Sequence, residues 1–239
     1  MILKKWIVGP VFAMSIGMAL PASATVVALY GGTDTNASIF AFLKSQGYST
    51  VGLSRLSEAT LSGVDSVLLL RVQGNQALTN FVQNGGKVIT EWSGAEYGMT
   101  LFGGKASDQG FSRTNPVVSF DQAGIDLGLS NGIGGSYADS RATEHFYNLT
   151  LGNATSYATR PDGRSAIAGG AVGSGFVFVN AYNWADSFGK PGSNSGQLLL
   201  NELSSNETSR PVAKVSEPSS LVLLGLGMFG MIRRKRVRN

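Results

Sequence analysis

The first third of the chain alternates short apolar runs with amphipathic segments, and this alternation limits the folds open to it. Runs starting near Val26, Tyr48, Val64 and Lys87 have the length and composition of buried strands. The segments between them space their apolar residues as helices do, and several end at glycine, which is common just after a helix. Strands that alternate with helices favour a parallel sheet covered on both faces. The sequence therefore predicts an α/β fold of three layers with a mostly parallel sheet.

The pattern loosens after residue 91 and returns near residue 156. About 190 residues between the two chain ends suffice for one domain with a sizeable core. The later elements that the pattern predicts are a short helix at 95–102, a strand at 117–120, a Gly-rich surface insert at 124–135, strands at 156–159, 166–168 and 176–180, and a closing helix at 195–203.

Three segments resemble the class I glutamine amidotransferase-like fold, particularly its trehalose-utilisation-type branch. They are Tyr30-Gly31-Gly32, residues 81–89 and residues 173–179. The resemblance implies a flavodoxin-like or amidotransferase-like sheet. Amidotransferases of this family use a Cys nucleophile on the turn after a central strand. The analogous stretch here is Glu91-Trp92-Ser93-Gly94 and the chain contains no Cys, which excludes that chemistry.

Polar and aromatic residues follow the predicted strands where an open α/β sheet binds its ligands, beyond the strands' carboxyl ends. They are Asp34, Arg71, Gln73, Glu91, Trp92, Asn183, Trp184 and Asp186. Carboxylates beside tryptophans suit a sugar, through acid–base catalysis or ring stacking. The structural alternative is that Asp34 caps a helix, Glu91 pairs with Arg71, and the tryptophans cover the end of the sheet.

No cofactor or metal site is predicted. Gly31-Gly32-Thr33 lacks the third glycine of a dinucleotide fingerprint and the lysine of a P-loop. His145, the single histidine, lies near Asp139 and Glu144, a set that suits a metal or a Ser-His-Asp arrangement. A lone histidine in a polar stretch is more often a surface residue.

The N-terminus has the features of a secretory signal peptide. Lys4 and Lys5 precede an uncharged, largely apolar stretch, and Ala22-Ser23-Ala24 is a small-residue cleavage site. We therefore expect residues 1–24 to direct the chain to the Sec translocon and to be removed by signal peptidase after Ala24. An uncleaved anchor is the alternative.

The C-terminus, residues 216–239, joins a short polar motif to twelve uncharged, mostly apolar residues and then to five basic residues. A helix of twelve residues is about 18 Å long, which is short against a hydrocarbon layer of about 30 Å. Flanking serines and snorkelling arginine stems extend it to a marginal transmembrane helix. The basic cluster predicts a cytoplasmic end, with the rest of the chain outside.

This order of motif, apolar helix and basic end resembles the PEP-CTERM sorting signal of Gram-negative bacteria. Val215, Glu217 and Pro218 match the family's Val-Pro-Glu-Pro motif, whereas Ser216 replaces its first proline. The resemblance implies a partner, exosortase, a membrane Cys-dependent transpeptidase that cuts near the motif and delivers the protein to the cell surface or extracellular matrix. An ordinary membrane anchor is the alternative.

The two chain ends also account for the basic character of the protein. Without the basic residues of these two ends, residues 25–232 hold 12 Lys and Arg against 15 Asp and Glu, a net charge of −3. Nucleic-acid binding is therefore not predicted. The predicted organisation is a signal peptide at 1–24, an exported α/β domain at 25–203, a polar linker at 204–215 and the sorting signal at 216–239.

The function predicted from these features is that of an exported cell-surface or extracellular-matrix protein. Its domain would be a non-enzymatic binding or structural module linked to exopolysaccharide. One alternative is a secreted carbohydrate-active enzyme that uses Asp34, Glu91 or Asp186. Another is a small-molecule binding module on the same fold.

Overall fold

The computed structural model describes residues 24–32, 36–112, 117–138, 143–181, 188 and 194–205. Strands and helices alternate through the first half of this part of the chain, as predicted. The elements are β1 (Val26–Gly31), α1 (Asn36–Ser45), β2 (Ser49–Leu53), α2 (Glu58–Leu61), β3 (Ser66–Leu70), α3 (Gln76–Gln83), β4 (Lys87–Glu91) and α4 (Gly94–Thr100).

The second half is richer in strands. Its elements are β5 (Lys105–Ser112), β6 (Val117–Phe120), α5 (Gln122–Asp126), β7 (Ser136–Ala138), β8 (Thr143–Thr150), β9 (Thr155–Thr159), β10 (Ser165–Val172), β11 (Gly175–Asn180) and α6 (Ser195–Ser204). The strands β5, β7 and β8 were not predicted from the sequence.

Nine strands form one mixed sheet in the order β2-β1-β3-β4-β11-β10-β9-β6-β7, and β5 pairs with β8 in a separate antiparallel ribbon. The first five strands of that order are all parallel. The other four extend the sheet through antiparallel pairs. The parallel strands have the flavodoxin-like order, whose switch point lies between β1 and β3. The predicted α/β fold with a mostly parallel core is confirmed.

Two apolar clusters lie on opposite faces of the sheet, because successive side chains of a strand point to opposite sides. Ile89 packs in the cluster that includes Leu43 of α1 and Leu198 of α6. Val88 packs in the other, with Val82 of α3 and Met99 of α4. Helices on both faces complete the three layers.

The Gly-rich stretch at 124–135 lies largely at the surface, as its composition predicted, but it is anchored to the core at Leu129. Helix α5 ends within it, and Leu129 is fully buried. Asn201 of α6 donates hydrogen bonds from Nδ2 to the carbonyls of Leu129 and Asn131, both at 2.7 Å. A Cβ at Gly124 would lie 2.1 Å from the carbonyl oxygen of Tyr157, so this glycine permits close packing on β9.

Candidate functional site at the carboxyl edge

The carboxyl ends of seven strands lie along one side of the sheet, which we call the carboxyl edge; these strands are β2, β1, β3, β4, β11, β9 and β7. Glu91 at the end of β4 aligns with Leu70 of β3 and Asn180 of β11. Strand β10 runs back from this edge, and β9 runs toward it, with Ala158 at the level of Ile167. The turn 160–164 between β9 and β10 therefore belongs to the same edge as the predicted site.

Two residues of this edge, Arg71 and Trp92, have left-handed backbones. Their φ angles are 57° and 48°, and each directly follows a strand. Such a conformation costs an L-residue about 1–3 kcal/mol and persists only where the surroundings fix it. The Trp92 N–H donates to the carbonyl of Asn180 at 3.2 Å. Trp92 thus takes the strained strand-to-helix position typical of a nucleophile elbow, but tryptophan has no nucleophilic group.

Arg71 and Glu91 form the ion pair that the structural alternative required. Arg71 Nε lies 3.6 Å from Glu91 Oε1, and the exposed fractions of the two side chains are 27% and 0%. Removing one member of such a pair would leave an uncompensated buried charge. The only predicted carboxylate within the described residues is therefore neutralised by a neighbouring side chain.

Side-chain hydrogen bonds and close packing join the loop after β3 to the loop after β4. Gln73 donates from Nε2 to the Ser93 carbonyl at 2.9 Å and to Glu96 Oε2 at 3.2 Å. A Cβ at Gly74 would lie 2.4 Å from the ring of Tyr97, and one at Gly94 would lie 2.8 Å from the Leu69 carbonyl oxygen. These close approaches hold the edge in one arrangement, which favours a preformed binding surface.

Four predicted site residues cannot be placed in this geometry. Asp34, Asn183, Trp184 and Asp186 lie outside the described residues. Of the predicted set, the structure therefore brings together Arg71, Gln73, Glu91 and Trp92.

A fully buried polar pair next to this edge was not predicted. Asn180 Nδ2 donates to Glu202 Oε2 at 3.2 Å, and neither side chain is accessible to solvent. Burial raises the pKa of Glu202 from 4.5 to about 8, against the smaller lowering by the Asn180 hydrogen bond and the Lys87 charge. The only sequence feature that could have pointed to this pair is weak: Glu202 is a carboxylate within the apolar stripe of the closing helix.

Lys87 fastens that closing helix to the sheet. Its Nζ donates to the carbonyls of Glu202 at 2.9 Å, Ser205 at 2.6 Å and Leu203. These carbonyls belong to the last turn of α6, where a cation satisfies orphan acceptors and the helix dipole. The sequence predicts this lysine only as the start of a strand, and its role as a helix cap depends on α6 packing over β4.

A cavity of about 740 Å³ lies at the opposite edge of the sheet, where the parallel strands begin. Its lining includes Asp65, Gly86 and Ser174, which precede β3, β4 and β11, together with Asn80 and Phe81 of α3. The strained residues and the Arg71–Glu91 ion pair are at the carboxyl edge, so we place the candidate site there. No group of three or more metal-binding side chains is present among the described residues.

The comparison that identifies a function concerns the C-terminus. Residues 214–236 match the PEP-CTERM protein-sorting motif. The chain carries a PEP-CTERM sorting signal. It is therefore an exported protein that exosortase processes at the membrane. No curated protein sequence matches the chain.

Solved structures support the fold alone. A ThuA-like protein from Bacteroides uniformis is similar with a TM-score of 0.58 and 12% identity, over 78% of this chain and 93% of that one. A protein from Thermoplasma acidophilum, described as part of a GMP synthase, has a TM-score of 0.53 and 11% identity, over 76% and 94% of the two chains. The predicted resemblance to the trehalose-utilisation and amidotransferase-like folds is confirmed.

The predicted transmembrane helix within 216–239 lies outside the described residues. In the part of the chain that the structure describes, no helix is long and apolar enough to cross a membrane.

Proposed function

We propose that the domain of this PEP-CTERM protein is a non-enzymatic module that binds an exopolysaccharide of the cell surface or matrix along its carboxyl edge. The observation that carries the proposal is the state of Glu91 and Trp92. Glu91 is fully buried and paired with Arg71, so it does not present a carboxylate to a ligand. Trp92, beside it, is half-buried and held in a strained turn. An aromatic ring on a fixed backbone suits stacking against a sugar.

The dimensions of the edge favour a polymer. From β3 to β9 the order across the sheet is β3, β4, β11, β10 and β9. The four spacings between these neighbours, of about 4.8 Å each, place β3 and β9 about 19 Å apart. An extended surface of this length suits a chain of sugars better than a single one. The sorting signal is consistent with such a partner, because an exported protein meets its ligands outside the cytoplasm.

The alternative of a carbohydrate-active enzyme receives less support. Glycoside hydrolysis requires one carboxyl group as acid and a second as base or nucleophile. Glu91 is engaged by Arg71, and the other two predicted acids, Asp34 and Asp186, lie outside the described residues. A small-molecule binding module would use the same edge but not its full length.

Affinity electrophoresis of the full chain in gels containing exopolysaccharide tests the proposal. Trp92→Gly removes the ring and relieves the left-handed backbone, so it should abolish retardation without loss of stability. Trp92→Phe keeps a ring and should retain most of the retardation. Equal retardation of the parent and Trp92→Gly would place binding elsewhere, and no retardation of the parent would refute the proposed function.

A further inference from the structure

The cavity of about 740 Å³ lies where the parallel strands begin, which we call the amino edge. It is formed between α2 and α3, and the turns that precede β3, β4 and β11 contribute to its lining. Its volume falls within the range of about 300–1,000 Å³ found for pockets that bind small organic molecules. Glu58, Asn84 and Ser174 of its lining are exposed, so a solute can enter it from solvent.

The lining of the cavity carries negative charge. Glu58 and Asp65 are acidic, and none of the described residues that line the cavity is Lys, Arg or His. The Asp65 side chain is held in place, because its Oδ2 accepts the Val26 N–H at 2.7 Å. A concave surface with charges of one sign concentrates ligands of the opposite sign. The cavity therefore favours a cation and repels an anionic ligand.

Side-chain amides of α3 position the Glu58 carboxylate. Asn80 donates from Nδ2 to Glu58 Oε1 at 3.2 Å, and Asn80 Oδ1 accepts from Gln76 Nε2 at 2.9 Å. Among the described residues, no donor reaches the second carboxylate oxygen of Glu58, Oε2. One oxygen of this carboxylate is thus held by the protein, and the other is open to a ligand.

Phe81 supplies an aromatic surface in the same cavity. It is half-buried and lines the cavity together with the apolar residues Leu61, Val64 and Ala77. A Cβ at Gly86 would lie 2.3 Å from the Phe81 ring, so the ring packs directly on the backbone of this glycine. An aromatic ring attracts an organic ammonium group through its quadrupole, and carboxylates attract the same group through their charge.

We propose that this cavity binds a saccharide that carries a free amino group. The protonated amine pairs with Glu58, the C–H face of the sugar ring packs on Phe81, and the sugar hydroxyls bond to Asn84 and Ser174. A quaternary ammonium compound has no N–H to donate to the open carboxylate oxygen. A metal ion would need further ligands of the acidic type, and the described residues offer no group of three. The inference does not depend on polysaccharide binding at the carboxyl edge.

The test measures binding of a disaccharide of two glucosamine units and of its N-acetylated counterpart by isothermal titration calorimetry, on the full chain in detergent. A buffer at about pH 6 keeps the amino groups protonated. The amine form should bind about tenfold more tightly or better, because acetylation removes the charge and leaves the sugar rings unchanged. Choline is a third ligand, because it carries an ammonium group and no sugar ring.

Glu58→Gln removes the charge and keeps an acceptor for Asn80, so it should weaken binding of the amine disaccharide by about fivefold or more. Asp126→Asn is the matched control, because Asp126 is likewise exposed, accepts one side-chain amide, from Gln122 at 2.7 Å, and lies outside the cavity. It should change the affinity by less than about twofold. Phe81→Leu keeps an apolar side chain without a ring and should weaken binding by about threefold. Thermal unfolding of each variant confirms that it is folded.

Several results would overturn the inference. If neither disaccharide binds, if both bind equally, or if Glu58→Gln binds the amine form as the parent does, the cavity is not an ammonium site. If choline binds as tightly as the amine disaccharide, the saccharide assignment is overturned in favour of a small ammonium compound. If Trp92→Gly abolishes this binding and Glu58→Gln does not, the disaccharide occupies the carboxyl edge instead. Loss of exopolysaccharide binding refutes only the proposed function, because the two sites share no residue.

Discussion

Glu202 makes the stability of this fold depend on pH in a direction opposite to that of most carboxylates. Its side chain is fully buried between α6 and the sheet, and burial raises its pKa from 4.5 to about 8. The folded state therefore binds a proton that the unfolded state releases at any pH between these values. The free energy of unfolding falls as pH rises through this window, because the unfolded state then binds fewer protons than the folded one.

The magnitude follows from the size of the shift. One pKa unit corresponds to 1.36 kcal/mol, so a shift from 4.5 to about 8 destabilises the fold by up to about 5 kcal/mol between pH 4.5 and pH 8. Glu202→Gln removes the titration and keeps the shape of the side chain. Its amide can also donate to Asn180 Oδ1, which has no partner among the described residues. We expect the variant to be more stable than the parent by several kcal/mol at pH 8.

Urea unfolding followed by circular dichroism at pH 5, 6.5 and 8 measures this difference. Near pH 5 the gap between parent and Glu202→Gln should shrink to about 1 kcal/mol, since the parent is then protonated in its folded state. Asp126→Asn changes an exposed acid to its amide and serves as the matched control. A gap between parent and Glu202→Gln that is equal at pH 5 and pH 8 would refute the reasoning.

Three further predictions concern the helix cap and the two chain ends. Lys87→Met should lower the free energy of unfolding by about 3 kcal/mol, because the last turn of α6 loses a buried charged donor. Urea denaturation measures this loss of stability. An unchanged denaturation midpoint would show that Lys87 does not stabilise the end of α6. Replacement of both Glu217 and Pro218 by alanine should leave the protein at the membrane but block trimming of its tail. The mass of the protein in a host with exosortase measures the trimming. If the variant is trimmed at the parental rate, the segment acts only as a membrane anchor. The exported protein should begin at Thr25, and N-terminal sequencing that reads Met1 would exclude cleavage.

The sequence by itself determined the class of the fold and the destination of the chain. Alternating apolar runs at β1, β3 and β4 predict buried parallel strands because only a sheet covered on both faces buries such runs. The sorting signal is equally local, since its motif, apolar segment and basic end are contiguous in residues 214–236. The Arg71–Glu91 pair was foreseeable as well, because both residues follow strands that end at one edge.

Tertiary structure decided which polar residues lie together at that edge and which are buried. The turn 160–164 belongs to the carboxyl edge because the antiparallel extension returns β9 to that edge, a pairing that no local pattern encodes. Glu202 and Asn180 meet because α6 packs across β11, and Lys87 caps that helix for the same reason. Each of these roles comes from a contact between segments distant in sequence. Periodicity and composition report which face a residue occupies, but only the packed fold supplies its partner.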